Sequence, residues 1–306
     1  MNTIKNTQKI IPFLWFDDRA EEAMNFYISI FPNSEIQQLK RWPEETPFPT
    51  ESTKPGTVQQ GMFVLDGLQF CAFDAGPMFR FNPSISFFAV YETDAEIKTL
   101  WKQLLDGGEA LMPLDSYDWS ELYGWVTDRF GVSWQLMKGN VSDVGQRMCP
   151  LIMYSGEQQG NAEEAMNHYM AIFKDSSAMG VAKYNADDPG PEGMVKHAQC
   201  KLAGEAFMMM DNGNENDMPF TEAISFYVNC KDQKEVDYFW DQFTKEGSES
   251  VCGWLKDKFG VSWQIVPEFL TEKLALDEPE KRQKLFEALS QMKKLDVAKL
   301  EEAYNS

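Results

Sequence analysis

Residues 124–135 read GWVTDRFGVSWQ and residues 253–264 read GWLKDKFGVSWQ; nine of the twelve positions are identical and the copies lie 129 residues apart. A chain that repeats so long a phrase carries two homologous modules, which constrains its fold more than any other feature. The phrase itself reads as a hairpin. An aromatic-rich run through Trp125 and Val126 meets a polar break with Gly131. Val132, Trp134 and Leu136 then alternate with Ser133, Gln135 and Met137, the period-2 pattern of a strand.

The rest of the first module follows in order. Ile10 to Phe16 reads as a buried strand, and Ala20, Ala23, Met24, Tyr27, Ile28 and Phe31 recur at helical spacing behind Asp18, a candidate N-cap. Glu35 to Arg41 reads as an edge strand. Trp42 to Gly56 is too rich in proline for a regular element and is expected to be a long loop. Two strands flank the turn Asp66-Gly67, a strong two-residue hairpin signal. A strand over 84–91, a helix over 94–105 ended by Gly107-Gly108, a strand near 110–114 and the hairpin over 122–137 complete a doubled βαβββ unit. The second module repeats the plan: AEEAMNHY at 162–169 answers AEEAMNFY at 20–27, and Gly204 answers Gly67. Beyond Pro267 an amphipathic helical tail is expected from about Pro279 to Tyr304. Its apolar stripe would pack on the second module, across the module interface, or against another subunit.

With 306 residues and 43% hydrophobic content, two cores of ordinary domain size can be buried. The net charge of −20 repels phosphate backbones and anionic lipid, so nucleic-acid and membrane partners are not expected. The polar amino terminus and the lack of a long apolar run lead to the expectation of a cytoplasmic protein. Five scattered cysteines (Cys71, Cys149, Cys200, Cys230, Cys252) form no C-x-x-C pair and read as small buried apolar residues.

The phrases FLWFDDRAEEAMNFYISIFPNSEI and DxFGVSWQ, together with the tail EKRQKLFEALSQMKKLDVAKLEEAY, resemble the PhnB-like group of the vicinal oxygen chelate (VOC) superfamily. Its domains often carry the label 3-demethylubiquinone-9 3-methyltransferase. The resemblance implies an α+β chain of tandem modules, 1–142 and 147–268, with a helical tail at 269–306. Each module is expected to pair its βαβββ units into a curled mixed sheet around a cup. The two modules would form an intrachain pseudo-dimer, and a homodimer of whole chains stays open. Methyl transfer needs a donor cradled by a glycine-rich turn after a strand, and no G-x-G-x-x-G follows any expected strand.

The resemblance also implies a divalent metal held by His and Glu side chains from four sheet positions. Here the last-strand positions are Gln135 and Gln264, and the third-strand positions are Gln60 and His197. Those of the first strand are Ile11 and Cys149, and those of the fifth fall within one or two residues of Ser84 and Ala223. An amide is a poor ligand beside a carboxylate. The expectation is therefore that neither cup holds a catalytic metal, His197 being hydrogen-bonded inside its cup and His168 structural. The alternative is a metal in the second module on Cys149, His197 and Gln264. Without metal, Trp15, Gln60, Trp134, Gln135, His197, Trp263 and Gln264 are candidates to line an apolar cup that orients a small apolar or aromatic molecule. A lyase, isomerase or dioxygenase of glyoxalase type with a degenerate site is the other class. No nucleophile elbow or H-E-x-x-H names a catalytic residue.

Overall fold

A computed structural model describes residues 8–44, 53–214 and 216–306. The centre of the proline-rich loop, 45–52, and residues 1–7 lie outside these. The first module runs β1 (Ile10–Phe16), α1 (Ala20–Ile30), β2 (Glu35–Arg41), β3 (Val58–Leu65), β4 (Leu68–Asp74), then β5 (Ile85–Tyr91), α2 (Asp94–Leu105), β6 (Glu109–Tyr117), β7 (Ser120–Thr127) and β8 (Ser133–Lys138). A single turn, α3 (Val141–Val144), leads into the second. That module runs β9 (Met148–Tyr154), α4 (Ala162–Ile172), β10 (Ser177–Lys183), β11 (Val195–Leu202), β12 (Glu205–Asp211), then β13 (Ile224–Cys230), α5 (Gln233–Thr244), β14 (Ser248–Glu249), β15 (Trp254–Lys256) and β16 (Ser262–Pro267).

The expected βαβββ units are all present, and they pair into two mixed eight-stranded sheets. The partners, however, come from different modules. The first sheet runs β14-β15-β16-β13-β1-β4-β3-β2, and the second runs β10-β11-β12-β9-β5-β8-β7-β6. Each sheet is closed at its middle by an antiparallel junction between modules, with Ile11 opposite Tyr227 in one and Phe88 opposite Cys149 in the other. The reason is local. β1 and β9 are alike in length and apolar character, so the strand pattern does not say which βαβββ unit each will adjoin.

One face of each sheet packs on the helices in a continuous core that includes Tyr27, Phe63, Phe70, Phe87, Trp134, Tyr169, Phe226 and Trp263. Among the described residues three helices, α2, α5 and the last of the chain, start on side-chain caps. Thr93 and Glu96 form a capping box on α2, and Asp232 accepts from the Glu235 amide on α5. Asp18 does not cap α1. Arg19 occupies that position, and the Asp74 carboxylate at the end of β4 accepts from the Ala20 amide at 2.8 Å and the Val58 amide at 2.7 Å. An acid that joins a helix start to two strands fixes all three, which a local cap cannot do.

The tail is three helices, α6 (Glu268–Ala275), α7 (Pro279–Ser290) and α8 (Val297–Asn305), in place of the one expected. Pro279 in the first turn of α7 separates it from α6. The second break is a segment that docks on the sheet edge: Cys252 N donates to Met292 O at 2.7 Å and Gly253 N to Lys293 O at 2.9 Å. These helices fill the cup of the first sheet. Leu270, Leu274, Leu285, Leu295, Leu300 and Tyr304 pack on Ile11, Met62, Cys71, Tyr227 and Val266, contributed by both modules. At about 1.5–3 kcal/mol for each fully buried large apolar side chain, the closure is strongly favoured. No described helix is long and apolar enough to cross a membrane.

Candidate functional site

The repeated phrase turns out to be a structural hub. The Asp128 carboxylate accepts from the Phe130 and Val132 amides, from Trp134 Nε1 at 2.8 Å and from the Tyr27 hydroxyl at 2.7 Å. Asp257 repeats this with Phe259, Val261, Trp263 and Tyr169. Burial pushes the Asp257 acid up to about 6, against the pull of its four donors. Trp134 and Trp263 therefore face the helices and do not line a cup, because their indole N–H groups are committed to the buried acids.

The remaining candidates fall into two groups. In the first cup, Trp15 sits edge-on to Phe73, Phe79 and Trp254 and donates to Gly76 O, while Gln264 donates to Ser225 Oγ at 3.0 Å. Gln60 accepts from Gln38. Beside it, Arg282 of the tail donates to Gln59, and Thr271 of the tail shares a hydrogen bond with the Tyr227 hydroxyl. This cup is closed by the chain itself.

The second cup holds Gln135 and His197. Gln135 accepts from the Tyr123 hydroxyl at 2.7 Å and donates to Ser86 Oγ at 2.9 Å, so both ends of the amide are used. Ser86 and Ser225, two residues on from the expected positions, are thus the fifth-strand residues of the two cups. Around them lie Phe88, Cys149, Leu151, Met153 and Met208, with Met112, Trp125, Met137 and Met210 towards the mouth. The His197 ring is 6.2 Å from that of Phe88. Its expected internal hydrogen bond is missing, since neither nitrogen has a partner among the described residues. Neither nitrogen is sealed from solvent either, in contrast to His168 Nε2, which is buried and unpartnered. Burial keeps the His197 imidazole below its usual pKa and hence neutral at pH 7. The long β6–β7 hairpin, reduced to a stub in β14–β15, carries a rim of Tyr117 stacked on Trp119 at 4.8 Å, with Tyr123 beside both. Trp119 is 54% exposed, and Met179 on the opposite edge is 42% exposed.

The hard metal implied by the resemblance does not fit. Exchange of the sheet halves places Cys149 and His197 in the second cup and Gln264 in the first, so that set never meets. The donors that do share a cup are Ser86, Gln135, Cys149 and His197, or Gln60, Ser225 and Gln264, Ile11 offering no ligating atom. Neither set contains a carboxylate, and no group of three His, Cys, Asp or Glu side chains converges among the described residues. Tyr123, Ser86 and Met208 escaped the sequence reading. The run Met208-Met209-Met210 was the available signal.

A cavity of about 480 Å³ lies outside both cups, where the turns Asp66-Gly67 and Ala203-Gly204 meet Gln8, Gln146 and Arg147. It borders Glu205, whose Oε1 accepts from the Lys9 amide while Oε2 is buried without a partner; burial pushes this acid up to about 8.

Comparison with known proteins bears on this arrangement. The sequence profile described as 3-demethylubiquinone-9 3-methyltransferase matches residues 8–137 and again 146–266. No curated protein matches the chain significantly. Among solved structures, the PhnB protein of Bacillus cereus is 43% identical over 43% of this chain and 100% of its own, with a TM-score of 0.40. Glyoxalase I of Zea mays is 12% identical over 89% of this chain and 97% of its own, with a TM-score of 0.56, a likeness of fold. The chain is a tandem, PhnB-like protein and belongs to the family described as 3-demethylubiquinone-9 3-methyltransferase.

Proposed function

We propose that the protein binds a small apolar or aromatic molecule in the cup of the second sheet. The observation that carries this reading is the asymmetry between the cups. The first is occupied by α6–α8, whereas among the described residues no helix longer than the α3 turn packs on the second. Its contents are unbranched methionines and aromatic rings. Methionine has three rotatable bonds and a polarizable sulfur, so a floor built of it can yield to ligands of different shape. The exposed Trp119, stacked on Tyr117 at the mouth, offers a flat surface to a flat molecule. Methyl transfer draws no support, since no glycine-rich donor cradle follows a strand.

Equilibrium binding of the uncharged dye Nile red tests this. A neutral probe is required because a chain of net charge −20 repels anionic dyes. Saturable fluorescence enhancement is expected, weakened at least about tenfold by Met208→Arg, which places an uncompensated charge in the floor. Binding unchanged in that variant, provided its circular dichroism is native, would remove the reading.

A further inference from the structure

We propose that His197, Met208 and Met210 form a binding site for a soft monovalent cation, Cu(I) or Ag(I), in the second cup. This inference shares the second cup with the reading above but not its ligand. Strand register brings the donors together. Gln199 of β11 stands opposite Met208 of β12 and Ala198 opposite Met209, so one further step along the same antiparallel ladder sets His197 opposite Met210. Residues in that relation have Cβ atoms about 5 Å apart, and the diagonal neighbour Met208 is about 7 Å away, within reach of long side chains. Met208 and Met210 share the cup face, while Met209 between them packs into the helix-side core. Met153 stands opposite Met210 in the parallel ladder of β12 with β9, so a third sulfur flanks the group.

The chemistry of this donor set differs from the one the fold ordinarily carries. The imidazole keeps its place on the third strand, but its neighbours are thioethers in place of carboxylates. Thioether and imidazole donors select Cu(I) and reject Mg and Mn, which need oxygen. A thioether carries no proton, so the two methionines lose none on binding. The apolar wall of Phe88, Leu151 and Val90 limits water around the ion.

The test uses the full chain with methionine methyl groups labelled with ¹³C and Cys252, the half-buried thiol, changed to Ser to remove an alternative ligand. Cu(I) is titrated anaerobically with ascorbate present and bicinchoninate as competitor. The Met208 and Met210 methyl resonances, assigned through Met208→Leu and Met210→Leu, are expected to move with the first equivalent while that of core Met24 stays. Affinity should fall roughly tenfold or more in His197→Leu and in the volume-conserving Met210→Leu, with Mg(II) and Mn(II) failing to compete. Unmoved Met208 and Met210 resonances, or affinity in both variants equal to that of the parent, would overturn the site. Nile red binding is read on the same samples. Absence of Nile red binding in the chain with an intact cup, with Cu(I) binding present, rejects only the small-molecule reading, and the converse rejects only the cation site.

Discussion

A single carboxylate explains why the twelve-residue phrase exists. Asp257 receives two amides, one indole and one phenol, four donors and no competing acceptor. An amide in its place would turn a donor towards a donor, so Asp257→Asn is expected to destabilise the protein by about 3 kcal/mol, read as a lower urea midpoint. The hairpin around it was legible from Gly260 and the alternation after it. Its role was not, because the Tyr169 donor arrives from a helix 88 residues away. Glu205 makes a second prediction at this scale. Burial lifts its folded pKa to about 8 from the ordinary 4.5, so the protonated form is favoured on folding. The associated stability is complete below pH 4.5 and is lost as pH rises through 8. Glu205→Gln, which keeps an acceptor for the Lys9 amide, should therefore be more stable than the parent by on the order of 3 kcal/mol at pH 8.5, with the gap closing towards pH 4.5. A gap independent of pH would contradict this.

Among the elements, the tail and the β6–β7 hairpin are the two that distinguish one cup from the other. The tail's apolar stripe was readable from Leu285, Leu289, Met292 and Leu295, but its destination was not: periodicity marks a buried face without saying what buries it. Its breaks were equally hidden, since the 291–296 segment is held by backbone bonds to Cys252 and Gly253 that depend on the short β14–β15 stub. Leu285 is fully buried against the first cup, and Leu285→Ala should cost about 3 kcal/mol. Ending the chain after Pro267 should do more. Cys71, now buried with its thiol pushed up to about 12, is expected to become reactive towards a disulfide reagent in the shortened chain and to stay inert in the complete one. Equal inertness in both would mean that the tail is not what covers it.

In the molecule as a whole, the duplication and the count of βαβββ units followed from the sequence, while the choice of which units share a sheet did not. The candidate site suffered from the same gap. Gln135 and His197 belong to different modules and share a sheet only because the halves exchange, whereas Gln264, assigned beside His197 by chain order, lies in the other sheet. An isolated first module, 1–142, would leave the junction strands β1 and β5 without their partners β13 and β9. It is expected to form dimers in which β1 of one copy meets β5 of the other, visible as a doubled mass by light scattering; a well-folded monomer would refute that pairing. The interleaving has a mechanical consequence as well. Between Gly139 and Gln146 the backbone is a tether and not a bond that holds the particle together. A protease nick there should leave two fragments that migrate as one until denaturant parts them, much as a zip stays shut after its tape is cut.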